Sequence, residues 1–281
     1  FELLDVRLLD AEGRPALTLP RVRGAVSVGS LWRGGFEQIL IEGPTLDVRR
    51  RADGHIEIAG IDVSGPGRGD QAGADWFFDQ TEFVVRNGTV RWIDDARAIE
   101  PVTLRSLDFV ARNGALTHDL RLDATPDVAW GERFSLRARL REPLLRLPGR
   151  RDASRPPWHD WSGELYGELP RADVAQLRHH VDLGDLGVEV RSGQGALRAW
   201  ARLQEGTVGA VTLDAKLSDV DLQLGPDLPA LALERLDGRL DATWSGTGWS
   251  LATDRLGFRT REGLDWAGAT VRVEHALARE R

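Results

Sequence analysis

The sequence predicts an all-β protein with one short helix and a mainly antiparallel sheet. Three observations carry this. Apolar and polar residues alternate with period two from one end of the 281-residue chain to the other. Turn-forming pairs such as Gly43-Pro44, Asn87-Gly88 and Asn113-Gly114 punctuate the alternation. Helical spacing is convincing in only one stretch.

Taken in order, "VGSLWRGG" (28 to 35) predicts one or two helical turns. "FEQILIEGPTLDVRRRADGHIEIAGI" (36 to 61) then predicts three strands. A turn at Gly43-Pro44 would set Ile41 against Leu46 and Ile39 against Val48. A three-residue loop, Ala52-Asp53-Gly54, would set Val48 against Ile58 and Arg50 against Ile56. "FVVRNGTVRWIDDA" (83 to 96) predicts a hairpin at Asn87-Gly88 that pairs Val85 with Val90 and Phe83 with Trp92. A second Asn-Gly turn at 113–114 would place Ala111 against Leu116, Phe109 against His118 and Leu107 against Leu120. Alternating runs continue in "RFSLRARLRE", "GALRAWARLQ", "GAVTLDAKLSDVDLQL", "GRLDATW", "WSLATDRLGF" and "GATVRVEHA". The helix is expected near 170–183, where Val174, Leu177 and Val181 have helical spacing. Gly-rich residues 64–75 and Pro- and charge-rich residues 148–158 read as flexible loops.

Each strand has one apolar face, and a single short helix cannot cover them all. Three arrangements solve that packing problem: two sheets in a sandwich, a closed barrel, or a curled sheet whose apolar interior holds a non-protein ligand. Periodicity does not choose among them.

Composition narrows the function. The net charge is −7 with acids and bases interleaved, so no basic stripe is present to neutralise phosphates, and nucleic acid is excluded as a partner. Cys is absent, which removes disulfides and thiol nucleophiles. No apolar run is long enough for a membrane-spanning helix, and the chain, opening mid-pattern at Phe1 without Met, reads as an internal segment of a larger protein.

Candidate chemistry is sparse. Asp94 and Asp95 are strand neighbours pointing to opposite faces, which fits a strand terminus better than a catalytic pair. His179 and His180 are adjacent and lack the i, i+4 spacing of a helical zinc pair. His118 falls on the apolar side of its strand, where a satisfied interior histidine is expected. "GPGRGD" (65 to 70) lacks the ending of a phosphate loop, and no Ser sits in a nucleophile elbow. A non-enzymatic protein is expected, with no metal and no cofactor.

Residues 19 to 61, with "IEGPTLDVRR" and "DGHIEI", and the "VRNGTVRWID" of 85 to 94 resemble the AsmA-like family. "LPRADVAQLRHHV", "LALERLDGRLDATW" and "REGLDWAGATV" resemble its YhdP-type branch. The resemblance implies a periplasmic segment of a protein anchored in the Gram-negative inner membrane and similar to bridge-like lipid-transfer proteins. In those, repeated β-units form a long groove for phospholipid between inner and outer membranes. Phospholipid and the adjoining segments of the parent chain are then the expected partners. Residues 1–281 would form one continuous curled sheet, an open hydrophobic groove lined by Ile39, Ile41, Leu46, Val48, Ile56, Ile58, Phe83, Val85, Val90, Trp92, Leu107, Phe109, Leu116 and Leu120. The rival expectation is a β-sandwich scaffold module of the envelope that carries no lipid.

Overall fold

A computed structural model describes residues 1–9, 13, 15–33, 35–58, 61–62, 76–96, 100–144, 160–177, 189–223, 225 and 227–276. The expected flexible loops at 64–75 and 148–158, and His179-His180, lie outside these. Packing divides the chain into two compact units: Phe1–Asp127 with Ser135–Gly163, and Val128–Phe134 with Glu164–Arg281.

The first unit holds β1 (Glu2–Leu9), β2 (Pro15–Ala25), α1 (Val28–Arg33), β3 (Gln38–Glu42), β4 (Thr45–Arg50), β5 (Ile56–Ile58) and β6 (Ile61–Asp62). These are followed by a short helix α2 (residues 76–79), β7 (Glu82–Asp94), β8 (Val102–Asn113), β9 (Thr117–Thr125) and β10 (Phe134–Arg141). The second holds β11 (Ser162–Asp173), α3 (Val174–Leu177), β12 (Glu189–Gln204), β13 (Thr207–Gln223), β14 (Leu231–Ser245), β15 (Gly248–Thr260), β16 (Asp265–Ala269) and β17 (Arg272–Ala276). The all-β expectation holds. The alternating runs of the second half form strands, except that "GATVRVEHA" is split between β16 and β17, and 28–33 is helical as expected.

Several expectations are corrected. Asn87-Gly88 makes no hairpin: β7 runs straight through it. Gly43-Pro44 is no hairpin either, because β3 and β4 follow one another along the same flank of β7, each parallel to it. The predicted pairs Ile41–Leu46, Ile39–Val48, Val85–Val90 and Phe83–Trp92 are therefore replaced by Ile39–Phe83, Ile41–Val85, Leu46–Val90 and Val48–Trp92. Lastly, β11 extends to Asp173 where helix was expected, and α3 begins at Val174, with Asp173 Oδ1 accepting from the N–H of Ala175 at 2.9 Å. The loop at Ala52–Gly54 does pair Val48 with Ile58 and Arg50 with Ile56, as predicted.

What Asn87 and Gly43 make instead is a bulge line. Asn87 has φ +51°, Gly43 φ +65°, Ser106 φ +47° and Asp5 φ +52°. Asp5 falls opposite Pro20, between the pairs Leu4–Arg21 and Val6–Leu19. Ser106 falls where the β7–β8 and β8–β9 registers shift. Each strand thus gains a residue at the same level, which bends it and increases its twist. Hydrogen bonds from Gly43 N–H to Arg86 O (2.8 Å) and from Thr89 N–H to Pro44 O (2.7 Å) hold β3, β4 and β7 together through the bend. The second unit has bulges of the same kind at Asp219 (φ +52°) and Arg255 (φ +49°), again at register shifts but at different levels of the sheet.

Candidate binding face

Register fixes which side chains share a face. The extra residue at each bulge reverses the alternation, so Phe83 and Val85 before Asn87 share a face with Val90 and Trp92 after it. Ile39, Ile41, Leu46 and Val48 join them from β3 and β4, and Ile58 from β5. From β8 and β9 come Leu107, Phe109 and Leu120. Ile56 is also on this side, beside Arg50. Leu116 is the exception. The chain turns over 114–116, Gly114 N–H donating to Thr117 O, so Ala111 pairs with Leu120 and Phe109 with Leu122, and Leu116 sits in the turn. Ile39 and Leu107 are buried, Ile58 is exposed and the other eleven are half-buried.

The opposite face carries a network of ion pairs around an apolar row of Leu40, the buried Val84 and Val110. Arg23 Nε donates to Glu2 at 3.2 Å, Arg112 Nε to Glu82 at 2.9 Å, Arg91 Nε to Asp47 at 2.8 Å and Arg139 Nε to Asp119 at 2.7 Å. Hydrogen bonds from Arg112 and then Gln38 hold the Glu82 carboxyl below its ordinary range. In the second unit Glu168, Arg198, Asp214, Arg239 and Asp254 form a row of alternating sign across five successive strands. Arg239 grips Asp214 in bidentate fashion at 2.6 and 2.8 Å, which lowers the Asp214 pKa. Pairing by register leaves few charges to contact an anionic ligand and keeps this face solvated.

The matching apolar face of the second unit was missed residue by residue. Ala199, Leu213, Leu240 and Thr253 lie side by side, as do Ala201, Val211, Ala242 and Leu251. All eight are half-buried. Their alternation was visible, but only pairing partners could tell which alternate set shares a face. Also missed were Phe77 and Trp161, although "DWFFDQ" directly before a predicted strand was a usable signal.

No catalytic arrangement emerges among the described residues. Asp94 is buried and 3.6 Å from Arg50, and the exposed Asp95 is 3.4 Å from Arg49. His118 is a satisfied interior residue: Nδ1 meets Asn113 Oδ1 at 2.9 Å, Nε2 meets Glu142 Oε1 at 3.1 Å, and the ring stacks on Trp161 at 4.3 Å. No group of three or more His, Asp or Glu among the described residues is placed to hold a metal.

The family model described as YhdP protein matches residues 1–280. The chain belongs to the YhdP family. This is a YhdP-type, AsmA-like assignment, and it points to lipid transport in the cell envelope rather than to catalysis. No curated protein and no solved structure matches the chain. Among the described residues no helix of the YhdP-family chain is long and apolar enough to cross a membrane.

Proposed function

We propose that this YhdP-family chain is a non-enzymatic periplasmic segment of an inner-membrane-anchored protein. In this reading it binds phospholipid acyl chains along the apolar face of each unit and conducts them between inner and outer membranes. One observation carries the reading: in each unit the sheet has a half-buried apolar face backed by a face of register-matched ion pairs. Within each unit the described strands belong to one sheet, which supports the reading that a non-protein ligand covers that face. Acyl chains supply the cover, each methylene withdrawn from water contributing about 0.8 kcal/mol without any directional contact. Such binding is strong in sum and tolerant of sliding, as conduction requires.

Lipid extraction and native mass spectrometry of the purified chain test the proposal, combined with photo-crosslinkers at Val90 and at Arg91. Adjacent strand residues point to opposite faces. Phospholipid should co-purify and be captured from Val90 but not from Arg91. A protein that purifies without lipid and captures none from added phospholipid vesicles overturns it.

A further inference from the structure

The apolar face of the first unit differs on the two sides of its bulge line. On the side where β7 begins, the chain covers the face with its own rings. Helix α2 brings Phe77 to 5.1 Å from Phe83 and 6.2 Å from Phe109, and Phe78 to 5.0 Å from His118 and 4.8 Å from Trp161. Trp161 and His118 are buried, and the two rings stack.

The helix is fixed in place by side-chain hydrogen bonds. Gln80, fully buried, accepts from the Phe36 N–H at 2.8 Å through Oε1 and donates through Nε2 to Trp76 O. Asn113 Nδ2 donates to the carbonyls of Phe77 and Gln80 at 3.2 and 2.8 Å. On the far side of the bulge line Leu46, Val48, Val90 and Trp92 are half-buried, as Phe83, Val85 and Phe109 are, but among the described residues no ring packs on Trp92 as Phe77 packs on Phe83.

The second unit shows the same plan independently. Val174 of α3 comes within 3.6 Å of where a Cβ on Gly193 would stand, and it packs against the buried Leu217, Val220, Leu222 and Leu233. Leu213 and Leu240, farther along the same face, stay half-buried.

We infer that the acyl-chain strip of the first unit is confined to the side of the bulge line away from α2, and that Phe77 sets its width. The inference rests on the lipid-binding reading above and adds a specificity-determining residue to it. Under α2 an acyl chain would have to displace rings that already pack on one another beside the hydrogen-bonded Gln80, Asn113 and His118, so entry there gains little net burial. Beyond the line the same chain removes exposed apolar surface from water.

The test places an aromatic photo-crosslinker at Phe83 or at Val90 of the full chain, which is mixed with phosphatidylethanolamine–phosphatidylglycerol vesicles. The measurement is repeated in Phe77→Leu and Phe77→Ala backgrounds, with circular-dichroism melts confirming that each variant is folded. Val90 should capture lipid in every background. Phe83 should capture little in the wild type, more with Leu at 77 and most with Ala, whose side chain leaves the largest gap. Equal capture from Phe83 and Val90 in the wild type overturns the inference without recourse to any variant at 77. So does unchanged capture at Phe83 in a folded Phe77→Leu protein. Capture at neither position overturns the lipid-binding reading and this inference with it.

Discussion

His118 is where residue-level reasoning and the structure meet most directly. Its place on the apolar side of a strand was readable from alternation, and so was its role as an interior histidine. Its partners were not, because Glu142 and Trp161 are distant in sequence and only the folded sheet brings them together. The amide of Asn113 uses its nitrogen on two carbonyls, so its oxygen is left to accept from His118 Nδ1–H. Replacing His118 with Ala removes the ring stacked on Trp161 and one hydrogen-bond partner each from Asn113 and Glu142. The expected loss is about 2–4 kcal/mol of unfolding free energy, read as a lower urea midpoint with little change in m-value. A shift under about 0.5 kcal/mol, the range of ordinary surface changes, would show that this cluster does not hold the sheet margin together.

The strand β7 shows how a local signal can be right about a residue and wrong about an element. Asn-Gly satisfies both a two-residue hairpin and a bulge, since either needs positive φ. What selects the bulge is long-range: β3 and β4 run alongside on one flank and β8 on the other, so the chain has neighbours to follow straight through. The shared face of Phe83, Val85, Val90 and Trp92 was legible all the same, because a hairpin and a one-residue bulge both put those four on one side. The helix expected near 170–183 is present from Val174 to Leu177, but it begins later than expected because β11 runs on to Asp173, which caps the turn. At φ +51°, Asn87→Gly should be tolerated within a few tenths of a kcal/mol, whereas Asn87→Val places a β-branched residue in the left-handed region and should cost about 1–2 kcal/mol. Chemical denaturation of the two variants side by side measures the difference, and equal stability would mean that the bend does not depend on this residue.

Across the whole molecule, the all-β class and the two-faced chemistry of the strands were readable from composition and period. The apolar side chains of the second unit could not be assigned to a face, because a one-residue error in register exchanges the faces and only pairing removes the error. Pairing now separates two leucines that look alike in sequence. Leu233 is 2% exposed within the cluster packed by α3, whereas Leu213 is half-buried on the open part of the same face. Leu233→Asp buries a carboxylate without a partner and should unfold the second unit, at a cost of about 3–5 kcal/mol. Leu213→Asp should leave the fold intact and deplete co-purifying lipid. A Leu213→Asp protein that is folded and retains its full lipid complement would separate this face from lipid binding.

The parallel alignment of β3 and β4 with β7 has one further consequence. Residues 38–50 and 82–94 lie side by side at a fixed displacement of 44 residues, from Gln38 beside Glu82 through Asp47 beside Arg91. The chain is therefore in phase with itself. Excising 44 residues, from Pro44 to Asn87, would join Gly43 to Gly88 and yield one strand with its bend at the same level and its apolar side chains on the same side. Excising 43 or 45 would reverse the alternation beyond the junction and turn Val90 and Trp92 toward the charged side. The sheet can change width in whole strands only by that step, so whether an insertion or deletion here keeps or exchanges the two faces depends on its length.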